Sequence, residues 1–251
     1  MRRAGRIRDY AVLAIFLSIP CITTHGTAVA VLRTPKRVIV AADSWQLLDG
    51  RIESVCKIHS VATMSYVLAG TVQVAKSGFY ADALARHAAS NSTTVFDAAT
   101  QFEKTAARQF TTALKLIKRE APEIYDADVR RKPEPLQVAF FAVEARVPVF
   151  VITYFTVQDS SQALIVTPHS KYCPGSACPG GRGIILLGDN DAANKSSQMQ
   201  SFWTGITDPV SAVRKLIQTE IDAAPSRVQA PISIVSVDAE GIHWIDKGRC
   251  R

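Results

Sequence analysis

The sequence lacks an apolar stretch long enough to cross a lipid bilayer. Its longest apolar run, residues 11–22, contains one proline, and a membrane-spanning helix requires about 20 apolar residues. We therefore predict no transmembrane helix. The run follows ten residues with four arginines and one aspartate, a layout typical of a secretory signal peptide. Residues 1–26 are predicted to be that signal peptide, and the mature chain is predicted to be secreted or periplasmic.

The sequence also lacks a strongly basic segment. The whole chain has 29 Lys+Arg and 22 Asp+Glu, and outside residues 1–26 these counts become 25 and 21. The short run Arg130-Arg131-Lys132 has no aromatic residues between its charges, whereas nucleic-acid-binding surfaces combine clustered basic residues with stacking aromatic rings. We predict no nucleic-acid partner, and no membrane partner once the leader is removed.

Metal-ligand spacings are missing as well. The five histidines are scattered, none lies in an HExxH pattern, and no second cysteine pair stands at ligand spacing. A structural zinc site needs about four such ligands. We therefore predict neither a metal ion nor another cofactor.

Four cysteines remain after the predicted leader, and an even number in an oxidising compartment indicates disulfides. Cys173 and Cys178 enclose a Pro-Gly turn, so we predict a disulfide between them. A Cys56–Cys250 bond would require the C-terminal strand to lie near the strand of Lys57, and the sequence leaves that pairing open.

The pattern of apolar residues predicts strands first and helices later. Short apolar segments predict strands over 27–33, 38–42, 52–58 and 64–68, with no helix between them, which favours an antiparallel sheet. Apolar residues at helical spacing then predict one helix over 74–89 and a second one beginning after Thr93 or Thr94 and ending before Pro122. More strands, two more helices and two final strands follow. We predict a single α+β domain over 27–251, layered as helices, sheet, sheet, helices.

A Gly-Thr pair stands where the leader gives way to the first strand. Gly26 and Thr24 fit the small residues preferred one and three positions before a signal-peptidase cut, so a cut before Thr27 is one prediction; cuts after Thr23 or Thr24 are alternatives. A threonine at the start of a mature chain can act as a nucleophile whose own amine is the base. Otherwise Thr27 is an ordinary strand residue.

These motifs together resemble a proteasome β-type subunit, a member of the N-terminal-nucleophile (Ntn) hydrolases. The matching features are Gly-Thr before two apolar strands, and the three short segments at 40–44 (VAADS), 57–59 (KIH) and 69–71 (AGT). The resemblance covers about the first fifty residues after the leader and implies an exported variant. It also implies the four-layer αββα sandwich, with two antiparallel sheets between two helical layers.

The resemblance further implies a threonine-type amide or peptide hydrolase. Thr27 would be the nucleophile, Lys57 would hold positive charge beside it, and Asp43 would keep Lys57 in place. The N–H group of Gly70 would stabilise the oxyanion. Leu68 and Val72 would line a substrate pocket that tolerates apolar groups. The expected partner is a peptide or another amide substrate, with a homo-oligomer as a candidate assembly.

Other features leave alternatives open. Singly, Asp43 could form a turn, Lys57 could face water and Gly70 could mark a bend. Segment 188–190 (GDN) stands where the family usually has Gly-Ser-Gly, and segment 222–231 lacks the family's Asp-x-x-Ser-Gly-Gly. A non-catalytic subunit of the same fold, serving as a scaffold or binding module, is therefore the alternative to a hydrolase.

Overall fold

The protein has a mixed α/β fold built from antiparallel sheets and helices. The computed structural model describes residues 22–25, 27–48, 51–178, 183–204, 206 and 208–250. Within these ranges it contains fourteen strands and six α-helices. None of these helices is both long and apolar enough to cross a membrane.

The first sheet has seven strands, and its main path runs in the order β1-β7-β9-β10-β11, with β6 and β8 pairing with β7. Its strands are β1 (Ile22–His25), β6 (Ile58–Val61), β7 (Met64–Val74), β8 (Phe79–Tyr80), β9 (Leu136–Glu144), β10 (Val147–Asp159) and β11 (Leu164–Cys173). Strand β7 is central because β1, β6, β8 and β9 all pair with it.

The second sheet has five strands in the order β12-β2-β3-β13-β14. Its strands are β2 (Ala28–Arg33), β3 (Arg37–Ala42), β12 (Gly183–Gly188), β13 (Ser233–Asp238) and β14 (Gly241–Asp246). The opening strands therefore divide between two sheets, whereas the sequence predicted one. After β3 in the chain, β4 (Trp45–Leu48) and β5 (Arg51–Ser54) form a separate two-stranded ribbon. Residues 49 and 50, which connect these two strands, lie outside the described residues.

The six helices are α1 (Ala81–Ser90), α2 (Val95–Glu120), α3 (Pro122–Tyr125), α4 (Asp191–Gln198), α5 (Gln200–Trp203) and α6 (Pro209–Ala223). Both long helices have a side-chain N-cap, and the one at Thr94 confirms one of the two predicted starts of α2. Thr94 accepts a hydrogen bond from the Asp97 N–H, and Asp208 accepts one from the Ser211 N–H. Helix α1 is shorter than predicted, because Phe79 and Tyr80 pair with β7 and the helix begins after them.

Three apolar clusters fill the interior. The first packs the first sheet against α1 and α2. The apolar face of α2 contributes Val95, Ala98, Phe102, Ala106, Phe110, Ala113 and Ile117 to it. The second cluster joins residues of both sheets, such as Val31 and Val40 with Phe141 and Phe150. The third packs the second sheet against α6.

Two cysteine pairs lie at disulfide distance. The Cα atoms of Cys173 and Cys178 are 5.4 Å apart, which confirms the predicted pair. Cys56 and Cys250 form the second pair, with Cα atoms 4.6 Å apart. Cys250 therefore lies beside the segment of Lys57, as the open pairing required.

Candidate active site

Thr27 is held at the start of β2 by its own carbonyl group. The carbonyl oxygen accepts a hydrogen bond of 2.7 Å from the Asp189 N–H, and the residue is completely buried. Gly188 makes this approach possible: its φ of +76° disfavours other residues, and a Cβ there would overlap the Thr27 carbonyl oxygen. The pairing of β2 with β12 brings Gly188 and Asp189 to this position.

Asp43 follows β3 and is fully buried. Its carboxylate accepts hydrogen bonds from the N–H groups of Ala28 and Trp45, each at 3.0 Å, and from Lys57 Nζ at 2.8 Å. Burial raises the pKa of Asp43, while Lys57 and the two backbone N–H groups oppose that shift. Asp43 therefore does more than form a turn, because it fixes both the backbone beside Thr27 and the Lys57 side chain.

Lys57 precedes β6 and points into the protein. Its Nζ lies 2.9 Å from Thr27 Oγ1 and 2.8 Å from Asp43 Oδ1, and only 5% of its side chain is exposed. Burial lowers the pKa of Lys57, and the charges of Asp43 and Asp189 partly oppose that shift. The structure thus brings three of the four predicted site residues into direct contact.

Gly70 lies inside β7 and does not end it. Its φ is +89°, and a Cβ at this position would overlap the carbonyl oxygen of Pro135. The residue pairs with His25 of β1 on one side and with Leu136 of β9 on the other. A glycine is therefore required here for backbone geometry and for close packing. His25 lies two residues before Thr27 in the chain, so Gly70 is paired with the segment that leads to Thr27.

Asp189 is a neighbour of Thr27 to which the sequence analysis assigned no role. Its Oδ2 atom is buried and has no hydrogen-bond partner among the described residues. Its Oδ1 atom lies 3.5 Å from Arg227 and 3.8 Å from Lys132. In the sequence, the only hint of such a role was that segment 188–190 departs from the Gly-Ser-Gly of the family it resembles. The Asp189 backbone therefore contacts Thr27, and the Asp189 charge acts on Lys57.

Segment 222–231 contributes its backbone. The Gln229 N–H lies 3.4 Å from Asp43 Oδ2, and the Gln229 carbonyl accepts a hydrogen bond from the Ser44 N–H. The Asp222 side chain is exposed to solvent and accepts a hydrogen bond from Gln218. The altered segment therefore supports Asp43 through its backbone, and no side chain of this fully described segment joins the contact of Thr27, Asp43 and Lys57.

A cavity of about 290 Å³ opens beside Thr27 and Lys57. Leu68 and Val72 line it, as the resemblance implied, but polar side chains line it too. The polar residues of its wall are Gln46, His59, Gln73, Tyr80 and Asp82. The expected tolerance for apolar groups therefore describes only part of the wall, and nothing in the sequence indicated the polar residues from other segments.

Strand β1 runs antiparallel along the edge of β7. The paired positions go from Ile22 opposite Val74 to His25 opposite Gly70. The segment before Thr27 therefore lies as an extended peptide next to the candidate site. Residues 1–21 and 26 lie outside the described residues, so the signal peptide over 1–26 and the cut before Thr27 stay predictions.

Comparisons with known proteins give a fold and no family. No protein-family model and no curated protein matches the sequence. Two solved structures share its fold at 12% sequence identity, over 88% of this chain and 87% of theirs. One is Anbu (ancestral beta-subunit) from Yersinia bercovieri, with a TM-score of 0.53. The other is the helical assembly of the Anbu complex from Pseudomonas aeruginosa, with a TM-score of 0.52.

These findings correct the assignment suggested by the sequence motifs. The chain was expected to be an exported proteasome β-type subunit of the Ntn hydrolases, and this assignment is wrong. The structural neighbours are Anbu proteins, which are proteasome-like relatives, and no family model or curated protein supports the proteasome β-type or Ntn-hydrolase assignment. At 12% identity the likeness shows a proteasome-like fold and nothing about activity.

Proposed function

We propose that this protein hydrolyses amide bonds with Thr27, which becomes the first residue when the preceding segment is removed. The observation that carries the proposal is the contact of 2.9 Å between Thr27 Oγ1 and Lys57 Nζ. A buried lysine with a lowered pKa beside a hydroxyl is an arrangement suited to activating a nucleophile. The Asp43 carboxylate at 2.8 Å holds Lys57 in that position.

In the proposed reaction, Thr27 Oγ attacks the carbonyl carbon of an amide. The hydroxyl proton passes to the free α-amine of Thr27, whose ordinary pKa of about 7.7–8.0 suits a base near neutral pH. The Gly70 N–H stabilises the negative charge on the carbonyl oxygen. The C–N bond then breaks, the leaving amine takes the proton, and an ester remains on Thr27. Water attacks this ester, the acid is released and the Thr27 hydroxyl is restored.

Strand β1 supports a peptide as the substrate. It lies antiparallel along β7 at positions 70–74, and extended peptides bind other proteins by adding a strand to a sheet edge in this way. We propose that a substrate takes the same edge once the segment before Thr27 has left. Backbone pairing would then fix the scissile carbonyl near Gly70, and the neighbouring cavity would receive a side chain.

The remaining parts of the proposal concern organisation and location. Residues 27–251 would form one domain with the layers helices, sheet, sheet, helices, in keeping with the three apolar clusters. The two cysteine pairs favour an oxidising compartment, so we propose a secreted or periplasmic protein. Neither a nucleic acid nor a membrane is proposed as a partner of the processed chain.

A second candidate is a non-catalytic proteasome-like subunit that serves as a scaffold or binding module. Two observations favour it: Thr27 is completely buried, and one structural neighbour is described as a helical assembly. Under this candidate the chain forms a homo-oligomer, and the contact between Thr27 and Lys57 stabilises the subunit without cleaving a substrate.

Intact mass of the purified protein and the activity of Thr27 variants test the two candidates. For a hydrolase, we expect a chain that begins at Thr27, cleaves fluorogenic peptides and is labelled by a β-lactone probe. Thr27→Ala should abolish both activities, and Thr27→Ser should retain part of them because the hydroxyl and the amine remain. The matched control is Thr153→Ala, which removes another fully buried hydroxyl, on β10.

Two results would speak against the hydrolase. A stable chain beginning before Thr27 would exclude the use of its own amine as the base. A chain that begins at Thr27 but neither cleaves peptides nor reacts with the probe would favour the scaffold.

A further inference from the structure

The cavity beside Thr27 has both apolar and polar walls. Leu68 and Val72 provide apolar surface on β7, the strand that contains Gly70. His59 on β6, Tyr80 on β8 and Asp82 in the first turn of α1 provide polar surface. A substrate side chain with an apolar stem and a polar tip would therefore match both kinds of wall.

Asp82 lines the same cavity as Thr27. Its Oδ1 atom accepts a hydrogen bond of 2.6 Å from Tyr66 Oη. Tyr66 precedes Gly70 by four residues on β7, which is about 13 Å along an extended strand. In the proposed function Gly70 marks the position of the scissile carbonyl, so a substrate side chain that extends from there toward Tyr66 would approach the Asp82 carboxylate.

Neither Tyr66 nor His59 supplies a full positive charge that would pair with Asp82. Tyr66 donates a hydrogen bond but carries no charge. His59 Nε2 lies 3.6 Å from Asp82 Oδ1, and burial lowers the pKa of His59, with Asp82 only opposing that shift. The imidazole is therefore mainly uncharged at neutral pH.

Arg86 is the cation nearest to Asp82 among the contacts of the described residues. Its Nη2 atom lies 3.6 Å from Asp82 Oδ2, and the two side chains are 53% and 47% exposed. Pairs this open to solvent are weak, because water and salt screen them. A cation arriving through the cavity can therefore compete with Arg86 for the carboxylate.

We propose, on the basis of the proposed function, that Asp82 makes this enzyme select substrates with Arg or Lys immediately before the scissile bond. The apolar stem of such a residue would lie against Leu68 and Val72, as long basic side chains do on apolar surfaces, and its charged group would meet Asp82. The substrate class is then a peptide cleaved after a basic residue.

The test compares fluorogenic tetrapeptides that differ only in the residue before the reporter: Arg, Lys, Leu, Gln or Glu. With the full-length chain after its own processing, kcat/KM for Arg should exceed that for Leu by about 5- to 10-fold, the size expected for a partly exposed ion pair. The Glu peptide should be the poorest substrate, because its charge repels Asp82.

Three variants separate the charge of Asp82 from its packing. Asp82→Asn keeps the shape and an acceptor for Tyr66, and it should bring the Arg-to-Leu ratio close to one. Arg86→Gln removes the competing cation and should raise that ratio. Asp126→Asn is the matched control, because Asp126 also pairs with an arginine four residues later, Arg130, on an exposed surface. This control should keep the parental ratio, and melting curves verify that all variants fold.

Equal kcat/KM for Arg and Leu in the parent, or a preference for Arg that survives Asp82→Asn, would overturn the proposal. If no peptide is cleaved, the hydrolase proposal fails, and calorimetry with the uncleaved Arg and Leu peptides still tests the pocket. Tighter binding of the Arg peptide that is lost in Asp82→Asn would support selection by Asp82, and equal binding would refute it.

Discussion

Replacing Lys57 by methionine should destabilise this protein as well as inactivate it. Methionine keeps an unbranched side chain of similar length but removes the cation. The Asp43 carboxylate, which is fully buried, then loses the partner that lies 2.8 Å away. The hydroxyl of Thr27 loses its hydrogen bond to Nζ in the same step. We expect loss of amide hydrolysis together with a lower free energy of unfolding.

The size of the stability loss follows from what remains around Asp43. Removing one partner of a buried ion pair costs about 3–5 kcal/mol. The N–H groups of Ala28 and Trp45 still donate to the carboxylate, so we expect the lower end, about 3 kcal/mol. For a chain of this size, that loss corresponds to a melting temperature lower by about 6–12 °C.

Melting curves and denaturant titrations of three variants measure this effect. Asp43→Asn combined with Lys57→Met removes both charges and should recover most of the lost stability, since no unpaired ion stays buried. Lys118→Met is the matched control, because Lys118 forms an ion pair with Asp159 at 2.7 Å near the surface. Loss of that pair should change the free energy of unfolding by about 1 kcal/mol or less.

Two results would refute this reasoning about the buried pair. One is a melting temperature of Lys57→Met within about 2 °C of the parent. The other is a double variant less stable than Lys57→Met alone, which would mean that the charge of Asp43 is satisfied without its lysine.

Three further predictions follow from features around the site. Gly188→Ala should cost about 2 kcal/mol or more in stability and most of the hydrolytic rate, because of its positive φ and the overlap of its Cβ with the Thr27 carbonyl; full activity would contradict this. Replacing Cys56 and Cys250 together by serine should cost about 2–5 kcal/mol in the free energy of unfolding, measured by denaturation without reductant. Since burial lowers the pKa of His59 from 6.5, the unfolded chain binds the proton more readily, so stability should fall as the pH drops below about 6.5. Melting curves of His59→Gln should lack that part of the pH dependence.

Elements with a strong local signal could be predicted from the sequence. Helix α2 combines an apolar face with Thr94 as a cap and Pro122 after its end, and these signals act within one or two helical turns. Helix α6 begins with Asp208 and Pro209 for the same reason. Local propensity and tertiary packing agree in both helices, so sequence and structure agree on them.

Elements that depend on distant partners were predicted less well. The helix expected from residue 74 begins at Ala81, because Phe79 and Tyr80 satisfy their backbone groups by pairing with β7. Strand β7 continues through Gly70 to Val74, because β1 and β9 pair with it beyond Leu68. In each case a tertiary partner outweighs the local preference.

The candidate site shows the same division. The resemblance of the motifs around Thr27, Asp43 and Lys57 implied one site, and the structure brings these three side chains together, while their catalytic role stays a prediction. Asp189 reaches Thr27 through the pairing of β12 with β2, and Asp82 reaches the cavity through the start of α1. Neither contact has a sequence spacing that could reveal it.

The pairing of β12 with β2 also determines when the site can form during synthesis. Thr27 leaves the ribosome early, whereas Gly183–Gly188 follows more than 150 residues later, and Cys250 joins Cys56 across a separation of 194 residues. Contacts between residues so far apart in the chain must await late synthesis and slow closure. A nascent or partly folded chain therefore carries Thr27 without its surroundings, and the candidate nucleophile is complete only when the last strands have joined the fold.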